Sequence, residues 1–106
     1  MPQMTKGKSV HIIVNATFER ELIKVLKEAG ATGYTQVDAR GFGYSGVQDG
    51  HSEGESNVLF IVLTTEEKAQ TIEKKLVSYI NRGYPIVSYI TDADVLMNNR
   101  YNKPTL

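Results

Sequence analysis

GYTQVDARGFGYSGVQDGHSEGESNVLFIVL, residues Gly33 to Leu63, runs from a strand through a glycine-rich excursion into a strongly apolar strand. Gly41, Gly43, Gly46, Gly50 and Gly54, mixed with Ser45, Ser52 and Ser56, leave the span from about Arg40 to Ser56 almost without apolar residues to pack itself. Such a span is expected to be mobile when nothing is bound. Loops beyond about 12–15 residues are uncommon in compact domains and are usually functional or disordered. This one reads as a binding and signalling loop held between two ordered strands.

On its C-terminal side, Val58 to Leu63 (VLFIVL) is apolar at every position, the pattern of a strand covered on both faces. Thr64 with Glu67 three residues later is a capping-box signature, which places a helix from about Thr65 to Arg82. Ala69, Ile72, Leu76, Tyr79 and Ile80 form its apolar stripe, while Glu66, Lys68, Glu73, Lys74 and Lys75 stay in water. Gly83 stops it. Pro85 to Thr91 (PIVSYIT) is a further strand, which tolerates proline only because it stands first. From Asp92 to Leu106 the chain turns polar after Leu96 and Met97 and is expected to lie along the surface.

On the N-terminal side, Gly33 to Ala39 places Tyr34, Gln36 and Asp38 on one strand face and Thr35, Val37 and Ala39 on the other. Before it, Phe18, Leu22, Val25, Leu26 and Ala29 recur at helical spacing, and Gly30 ends that helix. Asn15 and Thr17 supply turn and cap chemistry. Val10 to Val14 (VHIIV) is a short β-branched strand after a polar leader. The order strand, helix, strand, loop, strand, helix, strand predicts an α+β fold, a ferredoxin-like βαββαβ sandwich with a long loop between strands 2 and 3. The chain reads as a single domain over 1–106, with a core from about 9 to 97, a mobile segment over 40–56 and a surface tail over 98–106. Both helices cover one sheet face. A chain of 106 residues has no third layer for the other, so the expected cover is a closed ring of copies, most simply a homotrimer.

Composition narrows the function classes. Twelve Lys and Arg balance twelve Asp and Glu, so no basic field favours nucleic acid. The absence of cysteine removes thiolate metal sites, thiol catalysis and disulfides. The leader MPQMTKGKSV lacks a signal peptide's apolar core, and no run is long enough to span a bilayer, so the expectation is a cytoplasmic protein without direct membrane insertion. No Ser, His and Asp arrangement falls on strand ends, no Walker motif is present, and no carboxylate pair stands outside the loop; the chain is expected not to be an enzyme. His51 with Asp49, Glu53 and Glu55 matches no rigid ligand spacing, so neither metal nor cofactor is expected. His11 reads as a packed or interface residue.

Gly33-Tyr34-Thr35, Gly41-Phe42-Gly43, His51 with Glu53 and the apolar third strand together resemble the PII signalling superfamily over nearly the whole domain. Tyr79-Ile80-Asn81-Arg82-Gly83-Tyr84, then Ile86 to Ile90 and Ala93-Asp94-Val95-Leu96, look more like its inorganic-carbon branch, which includes a bicarbonate transporter partner and a carboxysome-associated protein. The resemblance implies a PII-like trimer that binds adenine nucleotide in clefts between subunits, and a loop that engages a target once ligand orders it. The nucleotide residues it implies are Gly33, Tyr34, Thr35, Gly41, Phe42, Gly43, Ser45, Arg82, Tyr89 and Arg100, with Arg40 a candidate for bicarbonate or phosphate. Glycines at Gly33, Gly41 and Gly43 would let main-chain amides approach a phosphate or purine edge.

The departures are informative. Nitrogen-signalling members carry a lysine before the last strand and two arginines after it; here those places hold Tyr84-Pro85 and the cation-free stretch Leu96 to Asn98. Only Arg82, Arg100 and Lys103 are near enough to compensate, which favours ADP or AMP, with cyclic AMP a further candidate, over ATP. Ser45 stands where a glutamine helps bind 2-oxoglutarate, and no tyrosine in His51 to Ser56 answers to the modified loop tyrosine. The alternatives are a nitrogen-side regulator using ATP and 2-oxoglutarate, and a small ferredoxin-like enzyme or metal-binding trimer.

Overall fold

Strand β1, Pro2–Asn15, leads through a single 3-10 turn, Ala16–Phe18, into helix α1, Glu19–Glu28. Strands β2, Thr35–Gly41, and β3, Glu55–Thr64, precede helix α2, Glu66–Asn81, and strand β4, Val87–Asn98. The computed structural model describes residues 2–41 and 55–98. The expected mobile loop falls almost wholly outside those residues, as does the tail from 99 onward. The sheet order is β2-β3-β1-β4, antiparallel at every step, which is the ferredoxin-like arrangement.

Alternation along the two central strands builds the core. Val10, Ile12 and Val14 of β1 and Val58, Phe60 and Val62 of β3 point to the helix side and are essentially inaccessible. Against them lie Phe18, Leu22, Val25, Leu26 and Ala29 from the first helical segment and Ala69, Ile72 and Leu76 from α2. The whole predicted α1 stripe is buried. In α2 the stripe holds for three positions, while Tyr79 is half-buried and Ile80 is exposed.

Four expectations are corrected. The polar leader is strand: residues 2–8 of β1 pair with 92–98 of β4 in a ribbon that outruns β3, whose pairing ends at Lys8↔Thr64. Neither face of the ribbon rests on a helix, so no apolar alternation marks it; opposed charges do, in the ion pairs Lys8–Asp92 and Lys6–Asp94. Asp92 to Asn98 thus lies along the surface as the end of β4. The cap of α2 is Thr65, whose hydroxyl accepts from the Lys68 amide at 3.2 Å. Thr64 cannot cap because it continues the inward alternation of β3 and is fully buried. Pro85 and Ile86 precede β4, because the Ile86 amide is spent on Tyr84 O at 2.9 Å in a tight turn. Finally, within one chain β3 is covered on one face only: Leu59 and Ile61 are half-buried and Leu63 is 42% exposed on the other.

That second face carries Ser9, His11 and Ile13 of β1, Leu59, Ile61 and Leu63 of β3, and Val87, Tyr89 and Thr91 of β4, as register and alternation require.

Candidate functional site

Three connections meet at one end of the sheet. The base of the β2–β3 excursion is fixed by the pairs Arg40↔Ser56 and Gly41↔Glu55. The pair Asn15↔Asn57 brings the exit of β1 beside it, and Ile13↔Val87 brings in the start of β4. Asn15 shapes that exit: its side-chain oxygen accepts from both the amide and the hydroxyl of Thr17, each at 2.9 Å.

Two concavities open here. One, of about 430 Å³, is bounded by Ala16, Glu19, Asp38, Arg40, Ser56 and Asn57. It presents a guanidinium, two carboxylates, a hydroxyl and an amide, with Gln36 Nε2 donating to Glu19 Oε2 at 2.9 Å alongside. The other, of about 280 Å³, is bounded by Asn15, Thr17, Phe18, Tyr84, Pro85 and Ile86. These groups can recognise a ligand by hydrogen bonds, charge and ring contact. A third concavity, of about 450 Å³, sits at the ribbon base among Lys6, Lys8, Glu66, Asp92 and Asp94, and none of the predicted site residues that are described lines it.

Arg82 belongs to the loop end. Its guanidinium carbon stands 4.6 Å from the Tyr79 ring centre and 5.7 Å from that of Tyr84, while Nε donates to Ser78 O at 3.3 Å. Phe18 closes the cluster edge-on to Tyr79 and Tyr84. The Tyr79 hydroxyl donates to Glu21 Oε2 at 2.7 Å, and that carboxylate holds the phenol above its ordinary range, with burial adding to the effect. Gly83 makes the turn possible: its φ of 98° is left-handed backbone that a side chain would strain.

The remaining predicted residues stand elsewhere. Gly33, Tyr34 and Thr35 lie at the opposite end of β2; Thr35 is six residue steps, about 20 Å, from Gly41. Thr35 pairs with Ile61, Ile61 with His11 and His11 with Tyr89, so Thr35 and Tyr89 occupy the two outer edges of the sheet, about 14 Å apart. The Tyr34 ring leans on Phe60 with centres 5.4 Å apart, and the Tyr89 ring stacks on His11 at 4.5 Å. The structure thus sets Arg40 and Gly41 on one edge and Arg82 beside the other edge of the same sheet end, and places Gly33, Tyr34, Thr35 and Tyr89 farther along the strands. Phe42, Gly43, Ser45 and Arg100 lie outside the described residues, as do Asp49, His51 and Glu53.

Sequence reasoning passed over Glu19, Asp38, Asn57 and Pro85 as site-lining residues. Only Asn15 and Thr17 carried a legible signal, as turn formers.

The architecture is shared with known proteins. The family model of nitrogen regulatory protein P-II matches residues 7–100. The chain belongs to the P-II family. Among solved structures, a PII-like signalling protein of Thermus thermophilus is 29% identical with a TM-score of 0.72, over 88% of this chain and 92% of that one. The apo form of CPII from Thiomonas intermedia, a nitrogen regulatory PII-like protein, superposes with a TM-score of 0.76 at 18% identity, over 92% of this chain and 100% of that one. CPII bound to ADP, AMP and bicarbonate gives 0.75 at 20%, over 88% and 96%. These likenesses to CPII show the P-II fold. Membership makes the chain a PII-like regulatory protein.

Proposed function

We propose that this P-II chain senses adenine nucleotide, ADP or AMP with cyclic AMP a further candidate, together with bicarbonate, in clefts between the subunits of a homotrimer. Nucleotide state then sets the conformation of the segment 40–56, which acts on a protein of inorganic-carbon uptake or fixation, a bicarbonate transporter or a carboxysome-related protein. The chain acts in the cytoplasm as a regulator and not as an enzyme. No helix among the described residues is long and apolar enough to cross a membrane.

One observation carries this reading. The candidate residues divide between the two ends of β2, so one chain cannot close on a nucleotide with both groups. In a ring, the start of β2 in one copy can face the loop base and the Arg82–Ile86 turn of the next. The uncovered sheet face supports such a ring, because half-buried Ile13, Leu59 and Ile61 and exposed Leu63 would otherwise remain wet. CPII, which shares the fold, is described with ADP, AMP and bicarbonate bound, which supports that ligand set here.

Isothermal titration of the purified protein with AMP, ADP, ATP and cyclic AMP, each with and without bicarbonate, is the test. Micromolar binding of ADP or AMP that changes with bicarbonate is the expected result. Binding of ATP only, and only with 2-oxoglutarate, would move the chain to the nitrogen side. The absence of any nucleotide binding would remove the cleft.

A further inference from the structure

Arg82 is exposed at the end of α2 and is the only cation in the sequence from Arg82 to Ile86. A long exposed side chain is ordinarily spread over many rotamers. Here its neighbours fix it. Nε donates to Ser78 O at 3.3 Å, one turn back on the same helix, and the guanidinium carbon lies 4.6 Å from the Tyr79 ring centre and 5.7 Å from that of Tyr84.

The two rings are themselves held. They meet edge-on with centres 5.5 Å apart, and Phe18 stands edge-on to both. Tyr84 is folded back by the Gly83 turn, its amide donating to Tyr79 O at 3.1 Å. Tyr79 is tied at its far end as well, because its hydroxyl donates to Glu21 Oε2 of α1 at 2.7 Å. Packing thus fixes the body of the Tyr79 ring, and half-buried Glu21 fixes its tip.

We propose that Glu21 is a positioning residue for anion recognition by Arg82: acting through the Tyr79 hydroxyl, it holds the guanidinium ready to take a phosphate group of the nucleotide. The inference rests on the nucleotide reading above and deepens it. Tyr84 connects the guanidinium to a ligand, since the same ring helps wall the 280 Å³ concavity that opens among Phe18, Pro85 and Ile86. With Nε engaged on Ser78 O, a phosphate meets the two terminal amino groups, whose planar fork matches two oxygens of one phosphate. A guanidinium ordered beforehand loses little further freedom when the ligand arrives.

Charge alone would give Glu21 the opposite effect, because a carboxylate near Arg82 repels an anion. The sign of its removal therefore discriminates. The test is isothermal titration of the full chain with ADP. Glu21→Ala should weaken binding about two- to tenfold, the usual cost of ordering one long side chain on association. Tyr79→Phe, which keeps the ring and loses the hydroxyl, should do the same, and Glu21→Gln, whose side-chain oxygen still accepts from the phenol, should bind as the wild type does. Arg82→Gln should weaken ADP about tenfold or more, and adding Glu21→Ala to it should cause no further loss.

Binding by Glu21→Ala that is unchanged or tighter than wild type overturns the positioning role and leaves the nucleotide reading standing. An equal loss in the wild-type and Arg82→Gln backgrounds also overturns it, since Glu21 would then act on the fold and not through Arg82. Wild-type binding by Arg82→Gln removes the phosphate contact itself. A wild-type chain that binds no ADP overturns the nucleotide reading and this role with it. If Glu21→Ala does not fold, Tyr79→Phe takes its place in each comparison.

Discussion

Ile61→Lys is expected to yield a folded monomer that has lost nucleotide binding. Ile61 stands at the middle of the uncovered face, paired with His11 on one side and Thr35 on the other. It is half-buried in the single chain, so a lysine there can carry its ammonium to water along its own stem. In a ring the same charge would be enclosed beside His11, Thr35, Leu59 and Leu63, none of them a carboxylate. Enclosing an unpaired ion costs several kcal/mol even after relaxation. At about 1.4 kcal/mol per factor of ten, assembly should weaken by about a thousandfold or more. Sedimentation should show a monomer, circular dichroism should show the wild-type fold, and ADP titration should show no binding. A trimer of ordinary affinity would mean that the face is not the contact.

The second large effect is on stability. Phe60→Ala should destabilise the fold by about 3–5 kcal/mol, the usual cost of removing a buried ring and leaving its cavity. Phe60 is 0% exposed, lies at the centre of β3 under both helices and supports the Tyr34 ring. Against a typical total of about 5–15 kcal/mol, that loss takes much of the margin. Urea unfolding at fixed protein concentration measures it, since assembly contributes to apparent stability. A shift below about 1 kcal/mol would contradict the packing described.

The parts of the fold that bury a face were legible in the sequence. Val10, Ile12 and Val14 alternate because only one side of β1 meets helices, and Leu22, Val25 and Leu26 recur at helical spacing because α1 has one buried stripe. The ribbon was not legible, since neither of its sides is covered and Lys6, Lys8, Asp92 and Asp94 pair across strands instead. The choice between Thr64 and Thr65 as cap depended on which way β3 was facing when it ended, which two adjacent threonines do not disclose.

The candidate site was legible as a set of residues but not as a place. Gly33-Tyr34-Thr35 and Gly41 read as neighbours because they are close in sequence, yet a strand separates residues along its length. Arg82 was marked as a cation near phosphate; its packing on Tyr79 and Tyr84 follows from the Gly83 turn, which folds Tyr84 back so that its amide donates to Tyr79 O at 3.1 Å.

The division of the site between copies can be measured directly by mixing two defective chains. A Cβ built on Gly33 meets nothing within 4 Å, and one on Gly41 meets only Asn57 Nδ2 at 3.9 Å, so valine at either position spares the fold. Gly33→Val should block the cleft from one copy and Gly41→Val from the next, and each variant alone should lose ADP binding. Refolded together in equal amounts, random trimers leave about one quarter of the clefts with both wild-type sides. Recovery of about a quarter of wild-type ADP binding in the mixture is the predicted result. No recovery, or normal binding by either variant alone, would contradict a nucleotide site shared between subunits.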